Sequence, residues 1–176
     1  MADTDKSSET NSGAPKRYHH GDLRAALVAA GAELIEETGL EGLSLRAVAR
    51  AAGVSRAAPY HHFANKEELL AAIAAHAFRM MSADQALLKR AFEDPMERVR
   101  AMGALYVRIA RTRPQTVRLM AGRGIGASDP PPELREAIAS LLRFVSSAVQ
   151  EYLTARGSDV SAELVSVGAW SLAHGL

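Results

Sequence analysis

The chain has 176 residues, 48% of them hydrophobic, with 21 Lys and Arg against 20 Asp and Glu for a net charge of +1. That length suits one domain, or a small head on a larger body, and the apolar fraction can build a core without covalent staples. The absence of cysteine excludes disulfides, thiolate metal sites and cysteine nucleophiles, and no apolar run approaches the roughly 20 residues that cross a bilayer, so the expected compartment is the cytoplasm.

In chain order, residues 1–15 are polar, without the apolar centre of an export signal, and read as a disordered tail. From there the pattern is all-α: Ala and Leu dominate, β-branched runs are absent, and apolar residues recur at three- and four-residue steps. A first helix is expected from Asp22 to Thr38, burying Leu23, Leu27, Leu34 and Ile35, with Gly39 as its stop. Ser44 starts a short helix, Leu45 to Ala51, which Gly53 ends; Ser55 is expected to cap a third, very short one up to Phe63. Asn65 caps a fourth with Glu67 and Glu68 in its first turn, long enough to reach Arg90 and link two parts of the molecule.

Asp94 and Pro95 open a fifth helix, and Arg113-Pro114 separates it from a sixth ending near Gly122. The stretch 122–132, ending in three prolines, is a loop. Then Leu134, Ile138, Leu141, Leu142, Val145, Val149 and Tyr152 mark one stripe of a long helix closed by Gly157. A last helix begins at Ser161 and is still apolar at Leu176, which leaves open that the natural chain extends further.

The near-neutral total hides an uneven distribution. Between Glu41 and Glu67 there is no acid, while Arg46, Arg50, Arg56 and Lys66 all fall there. A local basic patch is what a DNA reader needs. The same window has the parts of two short helices crossing at a tight turn. Ala49 is small at the crossing, and Gly53 permits a left-handed backbone. Val48, Ala52, Val54 and Phe63 form the buried side, and Ser55 frees amides to face a phosphate.

The string Ser44-Leu-Arg-Ala-Val-Ala-Arg-Ala-Ala-Gly-Val-Ser-Arg-Ala-Ala-Pro-Tyr-His-His-Phe-Ala-Asn-Lys-Glu-Glu-Leu69 resembles the DNA-binding signature of the TetR (tetracycline-repressor) family almost position by position. One departure is Pro59, where the family usually has leucine; four residues past Ser55, it forfeits only the first intrahelical bond. Outside that window, Arg17-Tyr-His-His-Gly-Asp-Leu-Arg24, Arg118-Leu-Met120 and Trp170-Ser-Leu-Ala-His-Gly-Leu176 resemble a subgroup with a late Trp-x-x-x-His-Gly pattern. The resemblance implies a helix-turn-helix DNA-binding domain over 16–66 and a helical-bundle regulatory and dimerisation domain over 67–176. It implies a homodimer on double-stranded operator DNA with a near-palindromic site, repressing until a small molecule releases it; an activator is the alternative.

By the same resemblance Arg46 reaches a base or phosphate, and Arg56, Ala57, Ala58 and His61 lie on the exposed part of the recognition helix. Tyr60, Lys66 and the Ser44 hydroxyl match phosphate-holding positions, beside the Ser55 cap. Chemistry supports the division. Arginine grips guanine in two places and alanine methyls pack on thymine methyls, whereas phosphate contacts fix register without reading sequence. Arg50 reads as a solvated face residue, and His62 as either a family position or packing. Lys16 and Arg17, with His19 and His20, form either a minor-groove arm or a tail without a role. For an apolar or aromatic effector the candidate walls are Met102, Tyr106, Met120, Phe144, Trp170 and His174, against the plainer reading that most of these are core.

The remaining classes find little support. The doublets His19-His20 and His61-His62 lack a third ligand at suitable spacing, and adjacent helical residues diverge by about 100°; no metal or cofactor is expected. No glycine-rich phosphate loop or Ser-His-Asp arrangement points to an enzyme. A helical interaction module without DNA binding would have no use for the acid-free window.

Overall fold

The computed structural model describes residues 23–122 and 129–174. The expected tail and minor-groove arm, Arg17 included, lie outside the described residues. Among the described residues there are seven α-helices, one 3-10 helix and no strand.

Helix α1 spans Leu23–Gly42, but Gly39 inside it (φ 73°, ψ 172°) leaves helical geometry at the predicted stop. Its inner face buries Leu27, Val28, Gly31 and Ile35. Gly31 marks a close crossing: a Cβ there would stand 2.7 Å from Ile73 Cδ1 and 3.7 Å from Val48 Cγ2. Helix α2, Leu45–Ala51, starts at Ser44, whose hydroxyl accepts from the Ala47 amide at 3.1 Å. Gly53 (φ 68°) then turns the chain.

The recognition segment corrects one expectation. It is a 3-10 helix, Ala58–His61, preceded by Ala57 without a side-chain cap. Ser55 instead accepts through its carbonyl from the Ala58 amide at 3.0 Å, and Tyr60 donates to Ala57 in the same one-to-four pattern. The cause is Pro59. It has no N–H to give the Ser55 carbonyl, so that oxygen takes the nearer amide and the turn tightens. The Pro59 ring itself is fully buried.

Helix α3, Lys66–Ala91, is the spine. Asn65 Oδ1 accepts from the Glu68 amide at 2.8 Å, and Glu68 reaches back to the Ala64 amide at 2.6 Å, a variant of the reciprocal cap. Leu69 to Ala75 are all buried, because α1, α5 and α6 all pack on α3. Helices α4 (Pro95–Thr112) and α5 (Pro114–Met120) follow, the first capped by Asp94 with Pro95 at its opening. Helix α6, Pro132–Ala155, lies along α3, and α7, Ala162–His174, lies along α6. Gly157 (φ 63°) makes the turn between them.

One contiguous core runs from α1 and α2 through α3 into α5 and α6. No helix among the described residues is long and apolar enough to cross a membrane.

Candidate DNA interface and effector cavity

The exposed side of α2 and the 3-10 helix carries the basic window. Arg46, Arg56, Ala57, Tyr60 and His61 are exposed, as are Ser44 and Ser55; Ala58 is half-buried. Tyr60 is 51% exposed although aromatic, which wastes apolar area unless something covers it. Arg50 is exposed on α2. Lys66 is half-buried, and its Nζ donates to the Glu41 carbonyl at 3.4 Å, which holds the ammonium beside the motif. His62 is half-buried and tilted against Phe63 at 6.4 Å between ring centroids, so its place is in packing. Among the described residues Arg46, Arg50 and Arg56 form no ion pair, and the sequence from 42 to 66 holds no acid.

Two polar joints fix α1 to the later helices. Glu36 accepts from the Gln115 and Thr116 amides and from the Thr116 hydroxyl, and Glu33 pairs with Arg113 at 2.7 Å. At the other end of α1, Arg24 and Arg79 share the Glu133 carboxylate. Burial pushes that carboxyl upward, but the hydrogen bonds and charges of the two arginines together outweigh it and hold the carboxyl below its ordinary value.

Between α3, α4, α6 and α7 lies a cavity of about 280 Å³, near the lower end of ligand pockets, about 300 Å³. Met102, Tyr106 and Trp170 line it as expected, together with Met81, Gln85 and Val149. Among the described residues no charged side chain lines it. Trp170 sits 6.0 Å from Phe78 and 6.5 Å from Tyr106 between centroids. Burial raises the Tyr106 phenol above its ordinary value, so it is neutral near pH 7.

Two expected wall residues are elsewhere. Met120 is packed into the core at the end of α5. Phe144 faces a separate cleft of about 30 Å³ beside Arg98 and Glu151, because a residue two places from Leu142 on a helix points away from it. The side chain of His174 lies outside the described residues. Sequence reasoning missed Gln85 and Ser166, buried polar positions inside helices that look like surface until the packing is known, and Gly103, which lines the cavity while remaining exposed. A larger cleft, about 480 Å³ between α1, α3, α4 and α5, sets the charged Glu33, Asp84, Arg108 and Arg113 and the imidazole of His76 among apolar residues such as Ile73, Met80 and Ile109.

Comparison with known proteins accords with this architecture. The sequence profile described as "Bacterial regulatory proteins, tetR family" matches residues 27–73, and "Tetracyclin repressor-like, C-terminal domain" matches 99–176. The chain therefore belongs to the TetR family of bacterial transcriptional regulators, with a helix-turn-helix DNA-binding N-terminal part and a helical C-terminal part. It is 34% identical over 94 residues to the HTH-type transcriptional regulator BetI of Rhizobium meliloti (strain 1021); the match covers 53% of this chain and 46% of that protein, about half its length. A solved protein of unknown function from Rhodococcus sp. RHA1 is 31% identical, with a TM-score of 0.76 over 92% of this chain and 84% of that one. The regulator FadR from Bacillus subtilis, solved with stearoyl-CoA, shares the fold at 14% identity (TM-score 0.65, covering 81% of this chain and 78% of that one).

Proposed function

We propose that the chain is a ligand-responsive repressor that binds a near-palindromic operator as a homodimer and leaves it when a small apolar molecule fills the cavity beside Trp170. Residues 16–66 read the DNA and 67–176 sense and dimerise. The observation that carries this reading is the path of α3. Its first residue, Lys66, adjoins the recognition segment, and its Met81 and Gln85 line the uncharged cavity. A molecule that wedges α3 from α4 or α6 thus moves the reading face, provided it binds the released state more tightly.

A dimer is supported by α7, whose outer face exposes Leu164 at 70%, Val167 at 47% and Leu172 at 84%. Such a row is costly in water and suited to a second copy. One recognition segment reads too few base pairs to find a site, and two related by a two-fold read both halves. On that face Arg46 and Arg56 read bases, Ala57, Ala58 and His61 approach the groove, and Ser44, Tyr60 and Lys66, with the Ser55 backbone, hold phosphate.

The test is selection of bound duplexes from random DNA, followed by transcription in vitro from a promoter overlapping the selected site. Falling transcript with added protein is the expected result. A selected site without two-fold symmetry, or a rising transcript, would replace the repressor with a monomeric reader or an activator.

A further inference from the structure

Gln85 sits on α3 at the wall of the apolar cavity, only 3% exposed, and its Oε1 has no hydrogen-bond partner among the described residues. Ser166, 3% exposed on α7, lines the same space. Its hydroxyl proton is already given to the Ala162 carbonyl at 2.7 Å, so only its lone pairs remain. Buried polar atoms are almost always paired, and an unpaired one costs free energy that a fitting ligand recovers. Everything else around them is aliphatic, aromatic or thioether, apart from the neutral Tyr106 phenol.

We infer that the effector is an uncharged, mainly apolar molecule carrying one hydrogen-bond donor, such as an alcohol, phenol or amide, which it delivers to Gln85 Oε1. This rests on the proposed role of the cavity. A carboxylate or phosphate in the same place would lose its hydration, meet no cation among the described residues, and face the unpaired Gln85 Oε1 and the Ser166 lone pairs, with only neutral donors such as the Gln85 amide to offset the cost. A cationic headgroup would find aromatic rings but, among the described residues, no counter-charge. The donor must be neutral.

Trp170 is the single tryptophan of the chain and lines the cavity but not the larger cleft between α1, α3, α4 and α5, so its emission reports occupancy of the cavity. The experiment titrates the full chain with 1-octanol, octyl methyl ether and octanoate, reading Trp170 emission and melting temperature. The expected order is octanol tightest, the ether weaker by roughly tenfold, and octanoate weakest. In Gln85→Leu the preference for octanol over the ether should vanish, with the melting temperature held or raised because a buried unpaired acceptor is gone. Gln85→Met, closer in shape, gives the same readout if the leucine variant packs poorly.

Octanoate binding as tightly as octanol, or an octanol preference that survives both substitutions, overturns the inference while leaving the cavity as the ligand site. If none of the three probes moves Trp170 emission or melting temperature, the cavity does not take such ligands, and the effector reading falls with the inference.

Discussion

Glu36 on α1 caps α5 from outside the helix, its Oε1 accepting from the Thr116 amide at 2.8 Å and the Thr116 hydroxyl at 2.7 Å. The second carboxylate oxygen takes the Gln115 amide at 3.1 Å. Helix α5 has no side-chain cap of its own and begins with Pro114. A carboxylate therefore meets the positive end of the helix and satisfies amides that nothing local could reach. The helix that packs on α2 is tied in this way to the segment that follows α4.

Glu36→Ala should destabilise the protein by about 1–3 kcal/mol, because two amides and a hydroxyl lose a charged acceptor. Glu36→Gln should fall between the variant and the native protein: its oxygen can still serve Thr116, while its amide hydrogens oppose Gln115. Urea titration measures both. Equal losses in the two variants would mean that the side chain packs and does not cap.

Reading and holding should separate by mutation. Arg56→Ala is expected to cost about 1–3 kcal/mol of operator binding and to relax preference at one or two base pairs per half-site. Lys66→Ala should weaken all duplexes alike and reduce the salt slope by roughly one. Binding to operator and scrambled DNA across salt concentrations separates the two. An Arg56→Ala loss that is equal on every sequence would reverse the assignment.

Helix ends were legible where a single residue decides them. Ser44, Asn65 and Asp94 cap α2, α3 and α4 with their own side chains, and Gly39, Gly53 and Gly157 take positive φ at the predicted stops. The recognition segment was not, because Pro59 acts through the amide it lacks; loss of one bond was foreseen and the tightened turn was not. Nor was the closeness of α1 and α3 at Gly31, which depends on residues 42 positions apart, Gly31 and Ile73. A small part of the cavity wall was foreseen: Met102, Tyr106 and Trp170 are apolar residues on helices that bury one side. Phe144 was misplaced for the same reason: hydrophobicity says that a residue is sheltered, not which of two clefts shelters it.

The Glu133 joint should make stability fall in acid. Its carboxyl is held below the ordinary value when folded, since Arg24 and Arg79 outweigh the effect of burial. The unfolded chain therefore takes up this proton first as pH drops. The contribution is complete above the ordinary carboxylate range and is lost as pH falls through the folded value. Comparing urea midpoints at pH 7 and pH 4 should show a smaller drop in Glu133→Gln than in the native protein. An identical drop would place the acid sensitivity elsewhere, for instance at Glu151, whose carboxyl Arg98 and Lys89 hold down against the opposing effect of burial.

Gly103 offers a direct test of whether the space beside Trp170 is a working cavity. It lies exposed within α4 where it lines the cavity, and a Cβ built on it meets nothing within 4 Å. Gly103→Ala should stabilise by about 1 kcal/mol, since glycine in a helix interior costs that much relative to alanine. Gly103→Leu adds the same backbone gain and an apolar group that gains burial only by turning into the open space, since the position itself is exposed. If the space is open, the leucine variant melts no lower than the alanine variant. If the helices close on one another in solution, leucine overpacks the contact and costs about 1–3 kcal/mol instead. The functional forecast is separate: operator affinity should stay near native, because Gly103 is remote from the reading face, while 1-octanol should no longer shift Trp170 emission or release the DNA. A leucine variant that melts well and still responds fully to octanol would put the effector site elsewhere, with the larger cleft between α1, α3, α4 and α5 as the next place to probe.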